Sequence, residues 1–138
     1  MFRVTASAAT AVTWKDAGNG LCLGYPVNTL DTDITGDDPR LYDCSAPGWT
    51  SVYWIDVDEG NNQWLEKPKI DPGQCLTAYY DHSVYFEACK NGGTGNSFER
   101  WREISSGGNW YLQNVATGEY LTGSGAKMWT STYKQAWH

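Results

Sequence analysis

The sequence predicts an all-β protein assembled from three copies of one unit. Composition carries the first half of that statement. Fifteen glycines, eight tryptophans and nine tyrosines in 138 residues are high. Aromatic residues fill strand faces, and glycines supply left-handed turns between short strands. The chain has few of the long aliphatic runs that helix bundles need. A recurring tryptophan carries the second half: Asn62-Gln63-Trp64, Glu99-Arg100-Trp101 and Gln135-Ala136-Trp137, at gaps of 37 and 36 residues. Regularity on this scale marks a repeated supersecondary unit. An open array of three units would be short and uncapped at both ends, so the repeat points to a closed threefold body.

Taken in order, residues 1–12 are small and polar and read as a flexible N-terminal arm. A single domain follows over 13–138, with units at about 13–66, 67–105 and 106–138. Unit one opens on Thr13-Trp14-Lys15, turns at Asp16–Gly20 and continues into Leu21-Cys22-Leu23. Unit two runs from Lys69-Ile70 through Asp71-Pro72-Gly73 to Gln74-Cys75-Leu76. Unit three runs from Trp110 to Asn114, through Ala116-Thr117-Gly118, to Glu119-Tyr120-Leu121. Gly20, Gly73 and Gly118 align as left-handed turn positions. The following leucines, Leu23, Leu76 and Leu121, align as core residues. Each unit then passes through a variable loop to another strand, a Gly/Ser/Asn loop and the tryptophan. That makes about four short strands per unit.

Four cysteines allow three pairings. The repeat selects Cys22–Cys44 and Cys75–Cys89, because each pair then occupies the same place in its unit. Two local disulfides imply an oxidising, secreted setting. With two histidines and no Cys-x-x-Cys, zinc is not expected, nor any other metal or cofactor. The net charge of −6, with basic residues spread thinly, disfavours nucleic acid and anionic membranes as partners. No apolar stretch approaches the roughly 20 residues needed to span a bilayer.

The Cys/Cys/Tyr-Leu strands, the second cysteine of units one and two, and the tryptophan motif, kept in full as Gln135-Ala136-Trp137 and with Asn62 and Glu99 at the glutamine position elsewhere, together resemble the ricin B-type lectin-like β-trefoil family, from about residue 12 to 138. The resemblance implies three four-stranded units around a pseudo-threefold axis, with Trp64, Trp101 and Trp137 packed in the core. It also implies a shallow sugar site per unit. There an acid after Cys-Leu accepts hydroxyl hydrogen bonds, an aromatic before the second cysteine stacks on the pyranose, and polar residues precede the tryptophan. Gly24, Thr77 and Thr122 stand where the acid belongs. Tyr42 and Trp129 keep the aromatic, whereas unit two has Glu87. Asn61 and Asn62 in unit one and Gln135 in unit three keep the polar position. Asp31 and Asp33, in an acidic insertion from Thr29 to Pro39, are candidate substitutes for the missing unit-one acid.

The expected function is therefore a secreted, non-enzymatic carbohydrate-binding module for a glycan or cell-surface polysaccharide. The expected sugar-binding residues are Tyr42, Asn61, Asn62, Trp129, Gln135, Asp31 and Asp33. A protein-interaction module, an inhibitor or toxin delivery subunit, is the competing expectation. It rests on the two unit-one insertions, Thr29 to Pro39 and a second from Pro47 to Gly60 carrying Trp49, Tyr53 and Trp54. Counted from Cys44 to Trp64, that loop exceeds its unit-two counterpart by eight residues. His82 and His138 lie in no catalytic motif.

Overall fold

Leu23, Leu76 and Leu121, the leucines that follow each predicted turn, are all completely buried, and each carbonyl accepts a tryptophan indole N–H. The computed structural model describes residues 11–26, 38–45, 50–125 and 127–138. Among these are twelve strands: β1 (Ala11–Val12), β2 (Cys22–Pro26), β3 (Arg40–Tyr42), β4 (Thr50–Ser51), β5 (Trp54–Asp58), β6 (Trp64–Pro68), β7 (Gln74–Ala78), β8 (Val84–Ala88), β9 (Arg100–Ser106), β10 (Asn109–Asn114), β11 (Tyr120–Ser124) and β12 (Lys127–Ser131). Strands β1, β5, β6, β9 and β10 follow one another, antiparallel, around a wall. The wall closes through residues near the two ends of the chain. Lys15 and His138 exchange backbone hydrogen bonds, and Trp137 and Trp110 do the same. The hairpins β2–β3, β7–β8 and β11–β12 belong one to each unit.

The indole donors define the threefold relation, and they revise the sequence alignment in unit one. Trp54 Nε1 donates to Leu23 O at 2.9 Å, Trp101 Nε1 to Leu76 O at 2.9 Å and Trp137 Nε1 to Leu121 O at 3.1 Å. All three rings are fully buried. Trp54, not Trp64, is thus the unit-one member of the set. Trp64 is only half-buried, and its Nε1 donates to Asn62 Oδ1. It opens unit two. Its backbone pairs with Trp101, as Trp110 pairs with Trp137 and Val12 with Trp54. The 37-residue gap therefore separates the first and last strands of one unit, and the boundary after unit one falls between β5 and β6. Measured to Trp54, the loop after Cys44 spans 10 residues, against 12 from Cys89 to Trp101. The second insertion disappears.

Trp14, Trp54, Trp101 and Trp137 fill the core together with Phe86, Leu112 and Met128. Each such ring removes roughly 150–250 Å² from water, a gain of roughly 4–6 kcal/mol before chain entropy is counted. Two further expectations are corrected. Gly20 and Gly118 are left-handed, with φ of 76° and 74°, whereas Gly73 is not among the positive-φ residues. Pro72 fixes that turn instead, and Gln74 N donates to Asp71 O. Ala11 and Val12, assigned to the arm, pair with Ile55 and Trp54. The remainder of the arm lies outside the described residues. Both disulfides, Cys22–Cys44 and Cys75–Cys89, are present. No helix among the described residues is long and apolar enough to cross a membrane.

Candidate functional site

Strand β12 carries Trp129 opposite Thr122 of β11 and bridges to Ser83 of the unit-two hairpin turn. Because side chains alternate along a strand, Met128 and Thr130 point into the body while Trp129 points away from it. Trp129 remains half-buried. Its ring forms part of a half-open groove of about 950 Å³, lined also by Arg40 from unit one, by Asp81 and His82 from unit two, and by Glu119 and Lys127 from unit three. The groove is thus a junction of all three units.

Glu119 is the organised acid of this groove. Its Oε1 lies 2.7 Å from His82 Nδ1 and accepts from Thr130 Oγ1 at 3.0 Å. Thr130 N also donates to His82 O, so the unit-two turn is tied to β12 by backbone and side chain together. His82 sits at φ 70°, a left-handed conformation that a non-glycine residue holds only when its surroundings fix it. Asp81, next in the same turn, accepts from the hydroxyl and the backbone N–H of Ser83. Those bonds, the hydroxyl first, hold its carboxyl below the usual carboxylate range.

The other expected sugar-binding residues are dispersed. Tyr42 faces Cys22 across the β2–β3 hairpin, is half-buried, and its hydroxyl oxygen is buried. Asn61 and Asn62 lie on the β5–β6 turn with φ of 56° and 53°, on the barrel wall and not on that hairpin. Asn62 grips β9: its Nδ2 donates to Glu103 O, and its Oδ1 accepts from Glu103 N. Gln135 does not line the Trp129 groove. It is buried, and its Oε1 accepts from Gly123 N at 2.9 Å. The equivalent positions, two before each core tryptophan, are Val52 and Glu99, and both are buried too. Trp54 is corrected as a partner-binding residue, since it is core. Tyr53 is exposed, while Asp31, Asp33 and Trp49 lie outside the described residues.

The acid positions of units two and three are closed by threonine. Thr77 and Thr122 are buried, and each hydroxyl donates to the carbonyl two residues back. Cross-strand register also moves Trp129 away from Tyr42. Tyr42 and Glu87 face Cys22 and Cys75, and the matching residue facing Tyr120 is Ser131. Trp129 aligns instead with Tyr85 and Arg40. Glu119 and Asp81 were not singled out from the sequence. The available signal was their position, Glu119 immediately before Tyr120-Leu121 and Asp81 in the turn after β7, at two turns that the fold brings near β12. Asp56, Glu66 and Glu103 also converge, one ligand oxygen from each lying within 4.8 Å of the others. Glu66 Oε1 accepts the buried Trp14 indole N–H, so the cluster is part of the barrel interior.

No family model and no curated protein matches the chain. Solved structures do. The designed threefold-symmetric protein ThreeFoil superposes with a TM-score of 0.70 at 18% identity, over 93% of this chain and 96% of that one. SeviL, solved bound to asialo-GM1 saccharide, gives 0.69 at 12% identity, over 94% and 95%. A Polyporus squamosus lectin, bound to Neu5Acα2-6Galβ1-4GlcNAc, gives 0.69 at 10% identity, over 97% of this chain and 49% of that one. The tryptophan–leucine triad, the three hairpins and these superpositions agree: the chain has the β-trefoil fold that these lectins share.

Proposed function

We propose that this β-trefoil is a secreted carbohydrate-binding module whose ligand lies in the groove at Trp129. One observation carries the reading: a partly exposed indole and a positioned carboxylate, Trp129 and Glu119, line the same groove. A pyranose offers an apolar C–H face for the ring and hydroxyl donors for the acid. Glu119 Oε1 is engaged by His82 and Thr130, and Oε2 is the acceptor we assign to a ligand hydroxyl. The acid comes from the turn before β11 and not from the position after Cys-Leu, so the site replaces the family's arrangement. Sugar ligands in the neighbouring SeviL and Polyporus structures support this reading. Two disulfides support an oxidising compartment.

Binding fits better than turnover. The His82–Glu119 pair engages Thr130, whose side chain is 1% exposed and out of reach of a ligand. The pair braces the groove wall. A protein-partner reading keeps the exposed Tyr53 and loses Trp54, which is core.

A glycan array tests the proposal. The native chain is expected to bind at least one class of sugar, Trp129→Ala to lose that signal, and Tyr42→Ala to retain it. Thermal unfolding of each variant checks that the fold survives. Undiminished binding by folded Trp129→Ala would remove the groove from consideration.

A further inference from the structure

Two tyrosines of the unit-two turn that lines the groove meet Phe98, from the Ser97–Glu99 segment, at the surface. Tyr79, Tyr80 and Phe98 are mutually packed, with centroids 5.3 Å apart for Tyr79–Tyr80, 5.0 Å for Tyr79–Phe98 and 5.3 Å for Tyr80–Phe98. Yet Tyr79 is 46% and Tyr80 64% exposed. They are not core residues at the edge of the core: β7 ends at Ala78, and the chain turns outward. Large rings clustered in water call for a ligand.

The cluster is also rigid. Tyr79 N donates to Ser83 O and His82 N to Tyr79 O, which closes the turn beneath the two tyrosines. Phe98 is held from both sides. Its N–H donates to Asn96 Oδ1, and its carbonyl accepts from Nδ2 of the fully buried Asn114. A platform fixed in advance loses little conformational entropy on binding. Its chemistry is that of sugar surfaces, since two of the three rings bear a hydroxyl at the rim.

Its position bears on the length of the ligand. Tyr79 and Tyr80 immediately precede Asp81, His82 and Ser83, which line the Trp129 groove. One five-residue turn therefore carries the platform on its first two residues and the groove wall on its last three. We infer that the Tyr79–Tyr80–Phe98 platform is a second subsite of the Trp129 groove, and that the ligand is an extended linear oligosaccharide crossing the Asp81–Ser83 turn. This rests on the groove reading. A terminal sugar held at Trp129 alone would leave the platform unused. A chain would stack on both, and the two contacts would act as linked weak sites whose combined affinity exceeds either.

The test is an affinity measurement on linear homo-oligosaccharides of glucose, galactose, mannose, N-acetylglucosamine and N-acetylgalactosamine, each graded in length from the monosaccharide upward. Native protein is expected to bind one series with affinity that rises with length. Tyr80→Ala, at an exposed position that the fold tolerates, should match native protein on the monosaccharide and lose about tenfold on the longest members. Trp129→Ala should lose binding at every length, and Tyr133→Ala, another exposed tyrosine, should behave as native. Equal affinity at all lengths, or a Tyr80→Ala profile that follows the native one, overturns the second subsite and leaves the groove standing. Failure of every series to bind overturns the groove reading, and the platform with it.

Discussion

Glu87 stands where the family's stacking aromatic would be in unit two, and its surroundings give that substitution a consequence. Glu99 beside it is fully buried and accepts two backbone N–H groups, from Lys90 and Asn96, on Oε1. Burial first, then the hydrogen bond and negative charge of Glu99, push Glu87 up from 4.5 to about 7, and Lys90 Nζ at 3.7 Å offsets this only in part. Between these two values the folded chain holds a proton that the unfolded chain has released. Stability is therefore highest near pH 4.5 with respect to this group and falls as pH rises toward 7, by on the order of 1–3 kcal/mol. Glu87→Gln supplies a permanent donor to Glu99. It should flatten that slope and raise the melting temperature at pH 8 by several degrees. Melting curves at pH 4.5, 6 and 8 decide it, and an unchanged slope in the variant would place the proton elsewhere.

The unit-three hairpin β11–β12 shows what replaces a disulfide at the scale of an element. Tyr120 stands where Cys22 and Cys75 stand in the other units. Thr122 and Ser131 join hydroxyls at 2.7 Å, Thr130 engages Glu119, and Gln135 ties down Gly123 from the last segment. A Cβ at Gly123 would overlap the end of the buried Met128 side chain, which would have to shift. Gln135→Ala would leave the buried Gly123 N–H without its acceptor, a cost of about 1–3 kcal/mol. Denaturant unfolding should register that loss, while sugar binding by the folded variant stays native; a binding defect at full stability would restore Gln135 as a ligand residue. The hairpins themselves were legible in the sequence, because a turn followed by Cys/Tyr-Leu has one way to bury its leucine. The site was not. Glu119 and Trp129 meet His82 only through contacts between units, and no local pattern encodes which turn the threefold axis will carry to which strand.

At the scale of the whole molecule, the closed threefold body was readable from the tryptophan spacing, but for a partly mistaken reason. Two kinds of tryptophan occur at similar intervals. Trp54, Trp101 and Trp137 end their units in the core, and Trp64 and Trp110 open the next strand beside them. Spacing cannot separate the two kinds, since cross-strand partners in a hairpin barrel recur with the same period as the units. Burial of the ring and the carbonyl it reaches do separate them. The difference has an energetic signature. Trp54→Phe removes the indole donor to Leu23 O and leaves a buried carbonyl unsatisfied next to a void, with an expected loss of about 2–4 kcal/mol. Trp64 is half-buried, and its N–H donates to Asn62 Oδ1 at an exposed turn, so Trp64→Phe should cost less than Trp54→Phe. Equilibrium urea unfolding of the two variants, with Trp101→Phe and Trp137→Phe alongside, gives the comparison. Trp54 should group with Trp101 and Trp137, and if Trp64 grouped with them instead, the threefold alignment on Trp54 would be wrong.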